Sequence, residues 1–136
     1  HPATRDPLWA RGLGDVYKRQ LLAYSPLARG LLTGKYIGNK IPEGSRLSRD
    51  DKIRKIVNEN SDLAAKSYCS LASKYNIDPI HMSLAFCHER PFMGSVIFGA
   101  TDITQLRKIL AGINLKLEPE INDEIQMLYK KFPLTF

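Results

Sequence analysis

Leu21-Leu-Ala-Tyr24, followed at once by Ser25-Pro26, is the stretch of this sequence that decides the fold. A short apolar run that stops at the residue before a proline is typical of a buried strand in a parallel sheet. Gly94-Ser-Val-Ile-Phe98 is a second run of this kind, and Gly99 turns the chain after it. Both runs are apolar on both faces, so we predict two parallel strands that helices cover on either side.

The region between the two strands carries signals for a loop and then for helix. Residues 26–47 are rich in glycine and proline, and a connection of that length is usually functional when it is ordered. Ser48 and Asp51 predict a capped helix start, and the stretch 58–62 predicts an interruption of that helix. Asn76 ends this helical region.

Further helix signals lie on both sides of the second strand. Asp78-Pro79 predicts a helix with an N-cap aspartate and a proline in its first turn. Asp102 and Gln105 predict a capping-box start for a helix through Ile113. Pro119 opens a last amphipathic helix, whose predicted inward residues are Ile121, Ile125, Leu128 and Tyr129. The order strand, helices, strand, helices indicates an α/β fold built of βα units.

Two strands are too few for this architecture to stand alone. A two-stranded parallel sheet leaves both edges open and buries little apolar surface. We therefore expect the sequence to be a fragment that carries about two parallel strands plus helices, with most of the sheet outside it.

Length and composition are those of an ordinary globular domain. The chain has 136 residues, of which 43% are hydrophobic and 25% charged, and its net charge is +6. The positive charge is spread along predicted helix surfaces without a basic stripe that aromatic residues interrupt, so nucleic-acid binding is a minor alternative. The sequence has no run of 18 apolar residues, and we expect no membrane partner.

The cysteines and histidines do not predict a metal site. Cys69 and Cys87 lie in apolar helical contexts without metal-ligand spacing, which favours buried, reduced thiols in a cytoplasmic protein. His81 and His88 lie seven residues apart on one predicted helix, too far apart for a metal pair at positions i and i+4. We therefore expect no bound metal and a cytoplasmic location.

Residues 1–20 differ in character from the rest of the chain. They show neither helical nor strand periodicity, and Gly12-Leu-Gly14 lacks both the preceding strand and the third glycine of a dinucleotide-binding loop. The stretch Gly14-Asp-Val-Tyr-Lys-Arg-Gln20 resembles a translated adapter sequence from the broken ends of gene assemblies. We therefore expect residues 1–20 to be an artefactual or disordered leader, and residues 21–136 to form the domain.

Two motifs carry the chemistry, and each directly follows a predicted strand. They are Tyr24-Ser-Pro-Leu-Ala-Arg-Gly30, with Leu-Leu-Thr-Gly-Lys-Tyr after it, and Val96-Ile-Phe-Gly-Ala-Thr101, with Gln105-Leu106 beginning the next helix. In a (β/α)8 barrel, ligands bind at the C-terminal ends of the strands, and the last two loops often hold phosphate. In this order the motifs resemble the seventh and eighth βα units of aldo-keto reductases, in the branch of bacterial oxidoreductases and potassium-channel β subunits. The resemblance, from Leu21 to about Leu128, implies the C-terminal fragment of a (β/α)8 TIM barrel that binds NADP(H).

The first motif is implied to hold the reactive end and the middle of the cofactor. Tyr24 resembles the aromatic residue that stacks on the nicotinamide ring. The stretch that resembles the family's wrap around the pyrophosphate consists of Ser25, Pro26, Leu27, Ala28 and Arg29. As an isolated residue, Tyr24 would equally be a core aromatic that closes a strand, so the joint pattern carries the interpretation.

Basic residues and the second motif are implied to hold the phosphate and adenosine end. Lys35 and Arg46 resemble the residues that meet cofactor phosphate, and a guanidinium beside the 2′-phosphate would select NADP(H) over NAD(H). Gly99, Thr101 and Gln105 resemble the adenosine-side contacts of the last loop. Taken singly, the two cations are ordinary loop charges and Gly99 is an ordinary turn glycine.

Lys108-Ile109 departs from the family pattern, which commonly has Glu-Asn against the adenine. Ile109 cannot hydrogen-bond a base, whereas Lys108 would add to the positive field around the phosphates. Adenine recognition by this helix is therefore not expected to follow the family pattern.

The resemblance also implies what the chain lacks. In the family, hydride passes to a carbonyl carbon while a tyrosine protonates the oxygen, and a lysine, an aspartate and a histidine tune that tyrosine. All four come from earlier strands, and the positions of the candidate tyrosines do not match: Tyr36, Tyr68, Tyr75 and Tyr129. We therefore expect no catalytic residue here, in a partial reductase whose parent converts small aldehydes or ketones to alcohols.

Two other functions stay open at this point. A cofactor-sensing regulatory subunit of the same fold would keep the NADP(H) site without the reaction. A small basic nucleic-acid-binding domain would instead show binding that falls steeply with salt and ignores the cofactor.

Overall fold

The computed structural model describes residues 20–55 and 57–133, so the prediction for the leader lies almost wholly outside the described residues. The elements alternate as expected: a strand, helices, a second strand and more helices. Their bounds are β1 Leu21–Tyr24, a 3₁₀ helix Ala28–Thr33, α1 Arg46–Arg49, α2 Asp51–Arg54, α3 Glu59–Lys74, α4 Pro79–His88, β2 Met93–Ile97, α5 Ile103–Leu110 and α6 Pro119–Lys131.

The two strands pair in parallel, as predicted, with β2 one residue earlier than its sequence pattern indicates. Leu22 lies opposite Ser95 and Tyr24 opposite Ile97, after an irregularity between Leu21 and Leu22. Because the paired ends Tyr24 and Ile97 are in register, the loops that follow them leave the same edge of the sheet.

The expectation of strands buried on both faces is wrong. Leu22 is 59% exposed, Tyr24 81% and Ile97 51%, while Ala23 and Val96, which pair with each other, are half-buried. The described elements thus shield only the Ala23 and Val96 side of the sheet and leave the side of Leu22, Tyr24 and Ile97 exposed.

The main core lies between α3, α4 and α6. Its buried side chains are Leu71, Ala72, Met82, Ala85, Leu117, Ile121 and Ile125. A second, smaller core of Leu31, Tyr36 and Leu47 lies under the long connection after β1. This connection is therefore folded onto its own apolar side chains.

The caps explain where α3 begins and ends. Asn58 accepts a hydrogen bond from the Ser61 N–H, and the Ser61 hydroxyl accepts one from the Asn58 N–H, which forms a complete capping box. The predicted cap at Ser48 is wrong, since Ser48 lies within α1 and its hydroxyl donates to the Ser45 carbonyl. Asn76 follows the end of α3 with a φ of 54°, as its sequence position indicates.

The later helices start as predicted, but the end of α5 and the exposure of Tyr129 on α6 differ from the prediction. The Asp78 carboxylate accepts a hydrogen bond from the Ile80 N–H at 2.8 Å, and Pro79 is the first residue of α4. The helix α5 ends at Leu110 rather than at Ile113. On α6, Ile121 and Ile125 are buried, whereas Tyr129 is 55% exposed rather than inward.

Candidate functional site

The loop after β1 has an unusual backbone. Ser25 has a φ of 60°, and Ala28, Arg29 and Gly30 follow with φ values of 47°, 58° and 96°. Non-glycine residues rarely adopt this left-handed region, and they cluster at ligand-binding and active sites where they do. A Cβ on Gly30 would lie 3.2 Å from Lys35 Cε and 3.3 Å from Tyr36 Cε2, so this backbone also approaches the next part of the loop closely.

Hydrogen bonds between backbone groups fix the shape of this turn. The Ala28 N–H donates to the Ser25 carbonyl at 2.9 Å, and the Gly30 and Leu32 N–H groups donate to the Leu27 carbonyl at 2.8 and 3.3 Å. The Leu27 carbonyl is thus occupied by hydrogen bonds within the turn. The 3₁₀ helix then ends on Gly34, whose N–H donates to the Leu31 carbonyl at 3.2 Å.

A groove of about 640 Å³ opens beside this turn. Five of the six predicted residues from Tyr24 to Arg29 line it, and Leu27 does not. Its other walls are mostly apolar or aromatic side chains of α3, α4 and α6: Tyr68, Met82, Phe86, Cys87, Ile125 and Tyr129. The structure therefore brings the first predicted group of residues together at one apolar cavity.

The two predicted phosphate-binding cations lie on the same connection but outside this groove. Lys35 is exposed, and its ammonium nitrogen lies 5.0 Å from the centre of the Tyr36 ring. Arg46 is the exposed first residue of α1. Both side chains are free to meet a charged group from solvent, but the structure gives no contact that joins them to Tyr24.

The second motif leaves the same sheet edge and is held by its own helix start. Gln105 donates its N–H to the Asp102 carboxylate at 2.9 Å, and its side-chain oxygen accepts the Thr101 N–H at 3.2 Å. The side-chain oxygen of Gln105 is therefore used locally, one residue before the expected capping-box position. Among residues 20–55 and 57–133, and apart from Gly99 and its two chain neighbours, no heavy atom lies within 4 Å of the point where a Cβ on Gly99 would be, so this face of the loop is open.

Lys108 and Ile109, which depart from the family pattern, both serve the packing of α5. The Lys108 ammonium pairs with the Asp78 carboxylate at 3.0 Å, and Ile109 is only 5% exposed. Burial alone would raise the pKa of Asp78, but the hydrogen bonds from Lys108 and from the Ile80 N–H, with the charges of Lys108 and His81, hold it below its usual value. Lys108 therefore neutralises a helix cap instead of standing free beside a phosphate.

Two titrating groups that line the groove, Tyr68 and Cys87, have raised pKa values. Burial raises the pKa of the Tyr68 hydroxyl, with a further contribution from Tyr129. Burial likewise raises the pKa of the Cys87 thiol, although Arg90 acts in the opposite direction. A tyrosine that acts as a general acid near neutral pH needs a lowered pKa, which is the reverse of this environment.

Neither a metal site nor a membrane span emerges from the part of the chain that the structure describes. Among residues 20–55 and 57–133, His, Cys, Asp and Glu side chains do not form a group of three that could hold a metal ion. Within the same ranges no helix combines the length and the apolarity that crossing a membrane requires. Cys69 and Cys87 are free thiols on α3 and α4, but they are half-buried rather than buried as expected.

The sequence did not indicate that Tyr36 is a buried packing residue of the connection that carries the candidate site. Its ring is 2% exposed, and its hydroxyl has no hydrogen-bond partner among the described residues. Tyr36 closes the first motif directly after Lys35, which is the one sequence signal that could have marked it. Tyr68 and Phe86 in the groove wall carry no such signal, because only the packing of α3 and α4 brings them to the end of β1.

Comparisons with known proteins find similar sequences over most of this chain. A family model described as the Aldo/keto reductase family matches residues 12–130. The chain is 33% identical over 124 residues to Protein tas of Escherichia coli K12, covering 89% of this chain and 36% of that protein. It is also 32% identical over 135 residues to a probable voltage-gated potassium channel subunit beta of Oryza sativa subsp. japonica, covering 89% of this chain and 38% of that protein.

A solved structure shows the same fold. A glycerol dehydrogenase of Gluconobacter oxydans superposes with a TM-score of 0.65 at 22% identity, over 94% of this chain and 38% of that one. The two-stranded parallel sheet with its helices therefore corresponds to part of a (β/α)8 barrel, as predicted. The chain spans a little over a third of the length of the relatives it matches, 36% for Protein tas and 38% for the potassium channel subunit.

Proposed function

Since this chain belongs to the aldo-keto reductase family, we propose that it forms the part of an NADP(H)-dependent oxidoreductase that grips the cofactor. The observation that carries the proposal is the left-handed turn at Ser25 and from Ala28 to Gly30, directly at the C-terminal end of β1. Ligands of parallel α/β folds bind at that end of the strands. A backbone already held in this rare conformation does not need to reorganise when a ligand binds.

The charges around the turn fit the phosphates of such a cofactor. Arg29, Lys35 and Arg46 are exposed cations on the connection that begins at Tyr24. Arg46 can offer paired N–H donors to a phosphate, and a cation at the 2′-phosphate distinguishes NADP(H) from NAD(H). Gly99 and Thr101 leave the same sheet edge, where they would meet the adenosine end.

The apolar side of the groove fits the uncharged part of the cofactor. Tyr24 is 81% exposed at the groove entrance, so its ring has a free face for stacking on a nicotinamide. When bound, the cofactor would supply a hydride, and the role of this chain would be to hold and orient it. The general acid is expected to come from earlier strands of a whole barrel, so we propose that this chain alone does not turn over aldehydes or ketones.

A cofactor-sensing regulatory subunit is the second candidate, and the similarity to a potassium channel subunit beta favours it. Such a subunit would bind the cofactor through the same turn without reducing a carbonyl substrate. Reduction of a small aldehyde by the whole barrel with NADPH distinguishes the two functions, because only the reductase oxidises NADPH stoichiometrically with alcohol formation. For either function the two free thiols agree with the cytoplasm as the proposed compartment.

Fluorescence titration of the 136-residue chain with NADPH tests the proposed site, with circular dichroism to verify folding. We expect saturable binding that is tighter for NADPH than for NADH, and a weakening of about tenfold or more for Arg46→Ala, because a charged hydrogen bond is lost. Lys40→Ala is the matched control, an exposed cation on the same connection that the proposal leaves without a role. A folded chain that does not bind NADPH, or an equal loss in both variants, would contradict the proposal.

A further inference from the structure

Asp62 joins the first turn of α3 to the long connection after β1. Its Oδ1 accepts a hydrogen bond from the Gly38 N–H at 2.9 Å, although the two residues are 24 positions apart in the sequence. Its Oδ2 pairs with the Lys66 ammonium at 2.6 Å, and the Asp62 side chain is only 12% exposed. The two oxygens thus have different partners, so the loop contact and the ion pair can be separated by mutation.

A second contact holds the same loop two turns further along α3. Cys69 is seven residues after Asp62, which places both side chains on one face of the helix. The Cys69 sulfur lies 4.0 Å from the Leu32 carbonyl oxygen, and a Cβ on Gly34 would lie 3.3 Å from that sulfur. Segment 32–38 therefore runs along α3 in the opposite direction, with Gly38 near the helix start and Leu32 further along.

Between these two contacts the segment carries a buried side chain next to an exposed one. Tyr36 is buried at 2% exposure and packs with Leu31 and Leu47. Lys35, the residue before it, is exposed, and its ammonium lies 5.0 Å from the centre of the Tyr36 ring. The backbone on both sides of Lys35 is thus held against α3, and the Lys35 side chain lies over the Tyr36 ring beside Gly30 while it stays exposed to solvent.

We propose that Asp62 is a positioning residue for Lys35: it ties Gly38 to α3 and so fixes the place from which the Lys35 ammonium reaches a cofactor phosphate. This rests on the proposed NADP(H) site. Asp62 itself touches no ligand, because its oxygens are occupied by Gly38 and Lys66. The hydrogen bonds from Lys66 and from the Gly38 N–H lower the pKa of Asp62 against the opposite effect of burial, so the acceptor is charged at neutral pH.

A double-mutant cycle in the 136-residue chain tests the positioning role. Asp62→Ala removes the acceptor for Gly38, and we expect the Kd for NADPH to rise about tenfold, as when one charged hydrogen bond is lost. Lys66→Ala is the matched control, since it breaks the ion pair and leaves the acceptor, and we expect its Kd to equal that of the wild type. Asp62→Asn keeps an oxygen for Gly38 and should restore most of the affinity.

Measuring the effect of Asp62→Ala on the Kd in the Lys35→Ala variant distinguishes a positioning role from a general loss of structure. If Asp62 acts through Lys35, adding Asp62→Ala to Lys35→Ala leaves the Kd unchanged within about twofold, because coupled residues are not additive. Equal effects of Asp62→Ala in both backgrounds, or none in either, overturn the positioning role.

Limited digestion with trypsin tests the tether without any cofactor. Trypsin cuts after lysine, and Lys35 and Lys40 lie on either side of Gly38. We expect Asp62→Ala to be cut at these two sites several times faster than the wild type and Lys66→Ala, because loss of the tether exposes the loop. Equal cutting in all three proteins overturns the tether even if NADPH binds. If the wild type binds no NADPH, the proposed function and the role of Lys35 fail, and the digestion still decides whether Asp62 holds the loop.

Discussion

The His81 imidazole of α4 lies with its Nε2 2.6 Å from the Lys108 carbonyl oxygen in the last turn of α5. The last carbonyls of a helix have no partner within that helix, and His81 contacts this one from outside. The Lys108 side chain returns to α4 and pairs with Asp78. Lys108 therefore makes both contacts, through its carbonyl to His81 and through its ammonium to Asp78. Together they position α5, the helix that follows the second predicted cofactor loop.

Gly112 is required by this arrangement, and Gly112→Ala should destabilise the chain. A Cβ at this position would overlap the His81 ring atoms Cγ and Cδ2. We expect a loss of about 1–3 kcal/mol in the free energy of unfolding, which is the usual cost of overpacking, measured by urea denaturation. Gly99→Ala is the control, because open space surrounds that position, and it should change stability by less than about 0.5 kcal/mol.

The His81→Ala background verifies the cause of that loss. Removing the ring removes the overlap, so Gly112→Ala should cost far less there than in the wild type. An unchanged cost in that background would place the problem in the backbone at Gly112 rather than at His81.

The Asp78 pair predicts a specific loss of stability in acid. The pKa of Asp78 is lowered in the folded chain, whereas in the unfolded chain it is about 3.9. The unfolded state therefore binds the proton first, and the contribution of Asp78 is complete above about pH 4 and is lost as the pH falls through the lower folded pKa. Because the Lys108 side chain is 55% exposed, solvent screens the pair, and we expect a contribution of about 1 kcal/mol or less.

Urea denaturation between about pH 3 and pH 6 measures this effect. Asp78→Asn keeps an oxygen for the Ile80 N–H but loses the charge, so its stability should fall less between these limits than that of the wild type. Parallel stability curves for the two proteins would show that other carboxylates cause the acid loss.

Local sequence signals predicted several helix boundaries whose deciding contact is short in sequence, although the cap predicted at Ser48 was wrong. Asp78 caps α4 through Ile80, two residues away, and Asn76 ends α3 through its own backbone conformation. The contact between Asp62 and Gly38 spans 24 residues and follows no local pattern, so only the folded chain shows it. The exposure of the strands was mispredicted for a similar reason. An apolar residue can be buried, but whether it is buried depends on the elements that pack against it.

For the candidate site, too, the sequence indicated some features and not others. The motif that begins at Tyr24 indicated a ligand-binding loop from residue types alone, and that loop holds the left-handed backbone from Ala28 to Gly30. The sequence did not show that Gln105 uses its side-chain oxygen on Thr101, nor that Lys108 is paired with Asp78. The proposed phosphate contacts of Lys35 and Arg46 stay predictions until binding is measured.

Tyr36→Phe should leave the chain as stable as the wild type or stabilise it by about 1 kcal/mol. The Tyr36 hydroxyl is buried without a hydrogen-bond partner among the described residues, and an unsatisfied buried hydroxyl is costly. Phenylalanine keeps the ring that packs with Leu31 and Leu47. Urea denaturation of both proteins decides this, and a loss above about 1 kcal/mol would mean that the hydroxyl has a stabilising partner such as an ordered water.

Ile109→Asn should destabilise the chain instead of restoring the family's contact with adenine. Ile109 is 5% exposed, so an amide there would be buried on the inner side of α5 and would have to leave part of its hydrogen-bonding capacity unused. We expect a loss of about 2–4 kcal/mol in the free energy of unfolding, against about 1 kcal/mol for the matched apolar change Ile109→Val. If Ile109→Asn instead keeps wild-type stability and tightens NADPH binding, the face of α5 that carries residue 109 turns toward the cofactor, and Ile109 does not serve the packing of that helix.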